Sequence, residues 1–386
     1  MTVKRMLDVS FSETMRISKM ASSMEAEGRD IISLAVGEPD FSTPEFIVEA
    51  AYKAMKDGFT HYTTPQGIPT LREAVADKSR NFNNLDFKKE NVLITPTKQA
   101  LFMSILAHLD DGAEAIITDP SWVSYAPMIK FADGIPRRLP LLEEEDYGLD
   151  IETLNERISS RAELIVLNSP SNPTGMTIPK NDLKAIADIA IDNDLLVVSD
   201  EVYEKLIFEG EHISIGSFDG MRERTITISG FSKSYAMTGW RLGWLLTSEN
   251  LLENIIKIQT HSITCATSFA QKAGVVALKE GDKVIDEMLQ TYKKRREIIV
   301  KGLNDIDGFT CKKPNSTFYT FPRFDFNMDS MELALHLLKD AKVATTPGSA
   351  FGGKGENHLR MSFATSSEKI KEALERIEKV AEDLDR

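Results

Sequence analysis

Four places in this chain put a reactive or polar side chain where an apolar run ends. Asp200 closes "LLVVSD", the most apolar run in the sequence, so a strand there should be central and its terminal carboxylate buried. A buried carboxylate is costly unless it meets a cation or a donor. The plainer reading is a cap for a helix at "EVYEKL". Tyr203, three residues on, can point to the same side. Asn172 sits in "NSPSNPTG", which its prolines and glycine explain as a simple turn, yet that turn also offers a fixed amide donor at a strand's end. In "ITPTKQA" the backbone N–H groups of Thr97 and Lys98 open a helix and could hold a phosphate. The fourth place is "SGFSKSYAMTGWRLGW", Ser229 to Trp244, where Lys233 lies between Ser232 and Ser234 with Arg241 eight residues further on. Taken alone, Lys233 is a solvated lysine. No Gly-rich dinucleotide fingerprint is present, and no glycine directly precedes Lys98 or Lys233 as a nucleotide-phosphate loop requires.

The elements around these residues set their geometry. From about Asn91 to Leu246 short apolar runs alternate with loops and helical patterns: "NVLIT" before "KQALFMSILAHL", "AEAIIT" before "DPSWVSYAPMIKFA", "AELIVL" before "NDLKAIADIAIDN", and "LLVVS" before "DEVYEKL". Leu101, Ile105 and Leu109 share one helical face, as do Leu183, Ile186, Ala187 and Ala190. Strands alternating with helices predict an α/β core with a mostly parallel sheet, which binds ligands beyond the carboxyl ends of its strands. The polar residues above all follow strands, so they should converge on one edge.

The last third differs. A long helix is expected over "DKVIDEMLQTYKKRREIIVKGLNDI", its Lys293–Arg296 run forming a solvated face. "STFYTFPRF" and "HLRMSFA" read as short strands, and Ile370, Leu374, Ile377, Val380 and Leu384 form one stripe of a final helix. The expected division is a large α/β domain over 45–280 and a small α+β domain built from both ends, 1–44 and 281–386.

With 386 residues, 42% hydrophobic and 27% charged, the chain has enough material for a large and a smaller core. A formal net charge of −13 argues against a non-specific grip on nucleic acid or an anionic membrane, although a cleft can still be locally positive. The opening "MTVKRMLDVSFSETMRISKM" has no apolar core of signal-peptide type, and no window approaches the ~18 apolar residues of a spanning helix. Cys265 and Cys311 lie far apart without CxxC spacing and read as reduced core thiols of a cytoplasmic protein. The histidines show no metal-ligand spacing, so no metal is expected.

"SGFSKSYAMTGWRLGW" resembles the lysine motif of the class I pyridoxal-phosphate aminotransferases, of fold type I. Gly230, Phe231, Lys233, Ala236, Met237, Gly239, Arg241 and Gly243 all fit it. The likeness runs along the whole chain in family order: "GEPDFSTP" (37–44), "HYTTPQGIPTLREAVA" (61–76), "DPSWVSY" (119–125), "NSPSNPTG", "SDEVY" (199–203), "TPGSAFG" (346–352) and "LRMSFA" (359–364). One such string is weak; this many in order is specific.

The resemblance implies a role for each residue. Lys233 would carry pyridoxal 5'-phosphate as a Schiff base and, once the incoming amine displaces it, move a proton between the substrate's Cα and the cofactor. Asp200 would face the pyridine nitrogen and keep it protonated, which makes the ring an electron sink and offsets the cost of burying the acid. Tyr203 and Asn172 would bond the cofactor's phenolic oxygen, and Trp122 would stack on the ring. Arg241 would hold the phosphate together with Thr97 and Lys98. Tyr62 matches a tyrosine that reaches the phosphate from the neighbouring subunit, which implies a homodimer with shared sites. Arg360 would bind the substrate's α-carboxylate beside the Gly37 backbone, with Trp122, Asn172 and Lys98 also facing the substrate; otherwise Arg360 is a snorkelling edge-strand residue. Two departures touch the phosphate loop. "PT" stands before Lys98 where many relatives have two small residues, and Gly230 stands where many carry a serine, for which Ser229 or Ser232 is the replacement at hand.

The implied activity is ping-pong aminotransfer from an amino acid, aspartate first, to a 2-oxo acid, 2-oxoglutarate first. Lys98 resembles a lysine that some bacterial and archaeal aspartate enzymes of the family place near the distal carboxylate. Aromatic- or alanine-type donors are the close alternative. A β- or γ-lyase on the same fold shares the cofactor residues and differs in releasing ammonia without an oxo-acid acceptor. A non-catalytic regulator would need a DNA-binding domain ahead of the motifs, which begin near Ile31, and none is expected in this acidic chain.

Overall fold

The computed structural model describes residues 13–385 together with Met6 and Val9. The other positions before residue 13, and residue 386, belong to the expected small domain and lie outside the described residues.

In chain order the strands are β1 (Ile32–Ser33), β2 (Val92–Ile94), β3 (Glu114–Asp119), β4 (Ile135–Leu142), β5 (Gly148–Leu149), β6 (Ala162–Asn168), β7 (Leu196–Asp200), β8 (Thr225–Gly230) and β9 (Gly243–Leu246). After them come β10 (Phe309–Thr310), β11 (Tyr319–Thr320), β12 (Arg323–Phe324), β13 (Val343–Ala344), β14 (Thr346–Pro347) and β15 (Leu359–Ser362). One eight-stranded sheet has the order β2-β9-β8-β7-β6-β3-β4-β5. Its inner pairs, β4–β3, β3–β6, β6–β7 and β7–β8, are parallel, while β9 runs against β8 and β2, and β5 against β4. The sheet is mostly parallel, as expected, and β7 lies inside it between β6 and β8.

Alternation along each strand lets one apolar run serve two layers. Ile117, Val166 and Val198 join Leu101, Met103 and Ile105 of the helix Thr97–His108 and Leu252 and Ile255 of the helix Glu249–Ser262. Ile116, Ile165 and Val197 turn the other way, onto Leu183, Ile186, Ala187 and Ala190 of the helix Lys180–Asp192. The helical faces read from spacing are the faces buried. Each such aliphatic side chain contributes on the order of 1.5–3 kcal/mol, and the outcome is a helix–sheet–helix sandwich.

Beyond residue 281 the helix Asp282–Asp305 shares a core with the helix Ser367–Ala381 through Ile299, Leu303, Ile370, Leu374 and Ile377. β15 is the middle strand of the antiparallel sheet β11-β15-β14. β1 pairs in parallel with β13, which ties the N-terminal segment to this region. Among the described residues no helix is long and apolar enough to cross a membrane.

Three expectations fail. The Lys293–Arg296 run is not a solvated face, because Arg295 and Arg296 are buried. Arg295 grips Asp40 with two bonds of 2.8 and 2.9 Å, and Arg296 donates to Pro314 O at 2.8 Å and Glu209 at 2.9 Å. Both fall on the inward stripe between the buried Tyr292 and Ile299, at helical spacing, while Lys294 points out. Residues 202–205 form turns, so no helix follows Asp200 for it to cap. Cys311 is buried, but Cys265 is only half so; both thiols are free.

Candidate active site

The carboxyl ends of the parallel strands surround a cavity of about 490 Å³. β2 passes through Thr95 and Pro96 into the helix Thr97–His108, so Thr97 and Lys98 form its first turn at the cavity wall. β6 ends at Asn168, whose side chain accepts from Asn172 N at 2.8 Å and donates to Asp200 O at 3.0 Å, pinning the Asn172 turn to the neighbouring strand. β8 ends at Gly230, and Ser232 and Lys233 follow in the short helical turn Phe231–Ser234. Because β9 runs back from that edge, Arg241 lies beside them, its backbone at φ 55° and its guanidinium donating to Thr238 O at 2.8 Å. That left-handed conformation is uncommon for a residue with a side chain and recurs at functional sites.

Gly230 and Gly243 face each other across Thr97. A Cβ on either would collide with the Thr97 hydroxyl, so these glycines are required by close approach.

Asp200 has the parity of Val198, and its carboxylate enters the cavity. Its Oδ2 accepts from Tyr125 Oη at 2.7 Å and its Oδ1 from Val202 N at 3.3 Å. Burial still pushes its pKa up to about 6, against these donors and the nearby charge of Lys233. The Lys233 amine donates to Gly37 O at 2.5 Å. Burial, with the charges of Arg360 and Arg241, brings its pKa down to about 8, against the pull of Glu38 and Asp200.

Arg360 is buried on β15, and its guanidinium donates to Ala35 O at 2.6 Å, Asn172 Oδ1 at 3.2 Å and Thr346 Oγ1 at 3.3 Å. Its Nε has no partner. Those acceptors are all neutral, and among the described residues no carboxylate pairs with this cation. As a buried residue of a middle strand, Arg360 does not snorkel.

Trp122 lines the same cavity with Lys98 Nζ 4.7 Å over its ring, and burial followed by the charge of Arg241 lowers the Lys98 pKa. Tyr203 is buried, its Oη 2.9 Å from Tyr319 Oη. Of the residues singled out from the sequence, two stand outside the cavity lining: Tyr62, 87% exposed, and Ser229, whose buried hydroxyl turns to Glu204 and leaves Ser232 as the serine in the cavity.

Two residues escaped the sequence reading. Tyr125 closes "DPSWVSY", and the only local signal was that a buried phenol needs a partner. Tyr319 arrives through the pairing of β11 with β15, which no local pattern announces. A further surprise lies behind Asp200. Glu201 accepts from Ser199, Ser214 and His212 at 2.7–2.9 Å, and Glu204 accepts from Ser229 at 2.6 Å and pairs with Lys78. Ser199 on β7 and Ser229 on β8 thus tie both strand ends to one buried network.

The sequence pattern of the aminotransferase class I and II family matches residues 29–377. The chain belongs to that family. This aminotransferase has fold type I, and enzymes of its class work with pyridoxal 5'-phosphate. It is 43% identical to an aspartate aminotransferase of Pyrococcus abyssi over 96% of this chain and 95% of that protein. It is 42% identical to aromatic-amino-acid aminotransferase 2 of Thermococcus litoralis, again over 96% and 95%. A solved aspartate aminotransferase from Thermus thermophilus with maleate superposes with a TM-score of 0.94 at 37% identity, covering 98% of this chain and 99% of that one.

Proposed function

We propose that the cavity holds pyridoxal 5'-phosphate with its aldehyde carbon at Lys233 and its ring nitrogen at Asp200. Thr97, Lys98, Ser232 and Arg241 hold its phosphate, and the preferred amino donor is aspartate. The residues fit the group. Asp200 is a buried acid lifted to about 6, which a protonated ring nitrogen returns to its carboxylate form. Gly230 and Gly243 strip side chains from the backbone around Thr97, beside the exposed Arg241. Lys233, near 8, keeps part of its amine neutral and nucleophilic around neutral pH.

Bound there, the cofactor supplies an electron sink for the bond broken at the substrate's Cα. Arg360 would orient the α-carboxylate so that the Cα hydrogen faces Lys233, and the freed Lys233 amine would take that proton and deliver it to the cofactor carbon that carried the aldehyde, leaving the amino group on the cofactor. Tyr203 and Asn172 stand as donors toward the phenolic oxygen, and the Trp122 indole offers a flat face to the ring.

The observation that carries this reading is Arg360, a buried cation with only neutral partners and an unpaired Nε. Such a group is stable once an anion joins it. Lys98 at the rim supplies a second cation for a distal carboxylate, in keeping with the P. abyssi relative's name. An aromatic donor is favoured by one feature. A neighbouring cavity of about 560 Å³, lined by Phe102, Met128 and Phe131, shares Lys98 with the site.

We further infer a homodimer in which Tyr62 reaches the partner's site, and a division into a large domain, 45–280, and a small one from 1–44 and 281–386. The compartment we infer is the cytoplasm, where the free thiols of Cys265 and Cys311 stay reduced. The test is a panel of amino donors with 2-oxoglutarate, followed as half-reactions by the cofactor's colour. Aspartate should react fastest, R360A should weaken every donor alike, and borohydride should fix the cofactor to the peptide bearing Lys233. A cofactor fixed elsewhere, or an unaltered KM in R360A, counts against the reading.

A further inference from the structure

Tyr319, like Asn172, links the two ends of the proposed site: Asn172 accepts from Arg360 at 3.2 Å, and Tyr319 meets both Arg360 and Tyr203. Its ring lies under the Arg360 guanidinium, 4.6 Å from carbon to centroid, and its hydroxyl lies 2.9 Å from the Tyr203 hydroxyl. The two phenol rings meet edge to face at 5.8 Å. Both tyrosines are buried, and a Cβ at Gly37 would run into the Tyr319 hydroxyl. Gly37 also supplies the carbonyl that accepts from Lys233. The glycine at position 37 is therefore matched to a hydroxyl at 319.

Resting on the reading above, we propose that Tyr319 is a positioning residue that carries the charge state of Arg360 to Tyr203, and through Tyr203 to the phenolic oxygen of the cofactor. Either hydroxyl can donate across their 2.9 Å contact; with the Tyr203 proton turned to the phenolic oxygen, Tyr319 is the donor, and a cation over its ring, by stabilising negative charge on its oxygen, makes it a better one. Tyr203 in turn donates more strongly to the phenolic oxygen, and that oxygen then holds the proton shared with the Lys233 linkage less well. When a carboxylate neutralises Arg360 the chain relaxes, and the linkage takes its proton at higher pH. Substrate arrival at one end thus prepares the other. Burial raises the pKa of both phenols, so both remain donors throughout the working range.

The test titrates the visible band of the holoenzyme with pH, with and without saturating maleate, a dicarboxylate that has no amino group to react. In wild type the colour-change pKa should rise when maleate binds. In Y319F the resting pKa should rise by about half a unit, as expected for loss of one neutral hydrogen bond, and the maleate response should fall to half or less. G37A, which displaces the same hydroxyl without removing it, should reproduce both effects and serves if Y319F fails to load cofactor. Because the effect runs through Tyr203, Y319F should change nothing further in a Y203F background. Unchanged titrations in Y319F and G37A, or effects that simply add to Y203F, overturn the proposal alone. A wild-type protein with no titrating band overturns it together with the cofactor reading.

Discussion

The hydroxyl of Thr97 occupies the space that a side chain at Gly230 would need, with Gly243 closing the other side. The two departures at the proposed phosphate loop, threonine before Lys98 and glycine at 230, therefore meet in one space. Placing serine at 230 alone should overpack this corner by about 1–3 kcal/mol and weaken cofactor binding roughly ten- to a hundredfold. T97G combined with G230S should recover part of that loss. Only part is expected, because Gly243 Cα at 3.0 Å and Leu242 O at 3.3 Å also crowd position 230. Cofactor titrations of the two single variants and the pair give the coupling; strict additivity would show that the residues do not share space.

Among the described residues, Tyr125 is the side chain that donates to the Asp200 carboxylate, at 2.7 Å, and its hydrogen bond holds the Asp200 pKa down. Y125F removes a buried donor and leaves the carboxylate with Val202 N alone. The expected cost is about 1–3 kcal/mol of cofactor affinity, with Asp200 ionising at higher pH and kcat falling on the acid side of its profile. Equal cofactor affinity in wild type and Y125F would mean that the bond does not serve the cofactor end.

Particular residues show how far the chain discloses itself. Asp200, Asn172, Lys233 and the Thr97–Lys98 pair were legible because a parallel sheet brings the carboxyl ends of its strands together, whatever the rest of the fold does. Arg360 was legible only by resemblance, since β15 lies far from them in sequence and reaches them through β11 and β14. Arg295 and Arg296 were misread because charge alone suggests solvent, whereas their spacing from Tyr292 and Ile299 placed them inward, where Asp40 and Glu209 meet them. Tyr319 was invisible for a similar reason: its partners, Gly37, Tyr203 and Arg360, come from three separate stretches of chain.

Asp200 also sets a pH dependence of stability. Its folded pKa, about 6, lies above the ordinary 3.8, so the folded cofactor-free protein binds this proton more tightly than the unfolded chain does. The associated stability is fully present below about pH 4 and is lost as pH rises toward 6, by roughly 3 kcal/mol at 1.36 kcal/mol per unit. D200N, neutral at every pH, should remove that slope from urea unfolding curves of the cofactor-free protein. Cofactor should restore the loss in wild type and much less so in D200N. Parallel pH profiles for wild type and D200N would mean that burial does not strain this acid.

Lys233 supplies the complementary test, because only a neutral amine attacks an aldehyde. Its pKa is brought down to about 8 by burial first and then by Arg360 and Arg241. In cofactor-free protein, the rate of loading with pyridoxal 5'-phosphate, followed by the visible band, should climb with pH and level off above a midpoint near 8. Removing one of the depressing charges should move that midpoint upward, so R360Q should load with a higher apparent pKa even though Arg360 is not expected to touch the aldehyde. K233A should show no stable band at any pH. A wild-type midpoint above 10, where an exposed lysine titrates, would mean that the cavity does not act on this amine, and Lys233 would then need the cofactor itself to become reactive.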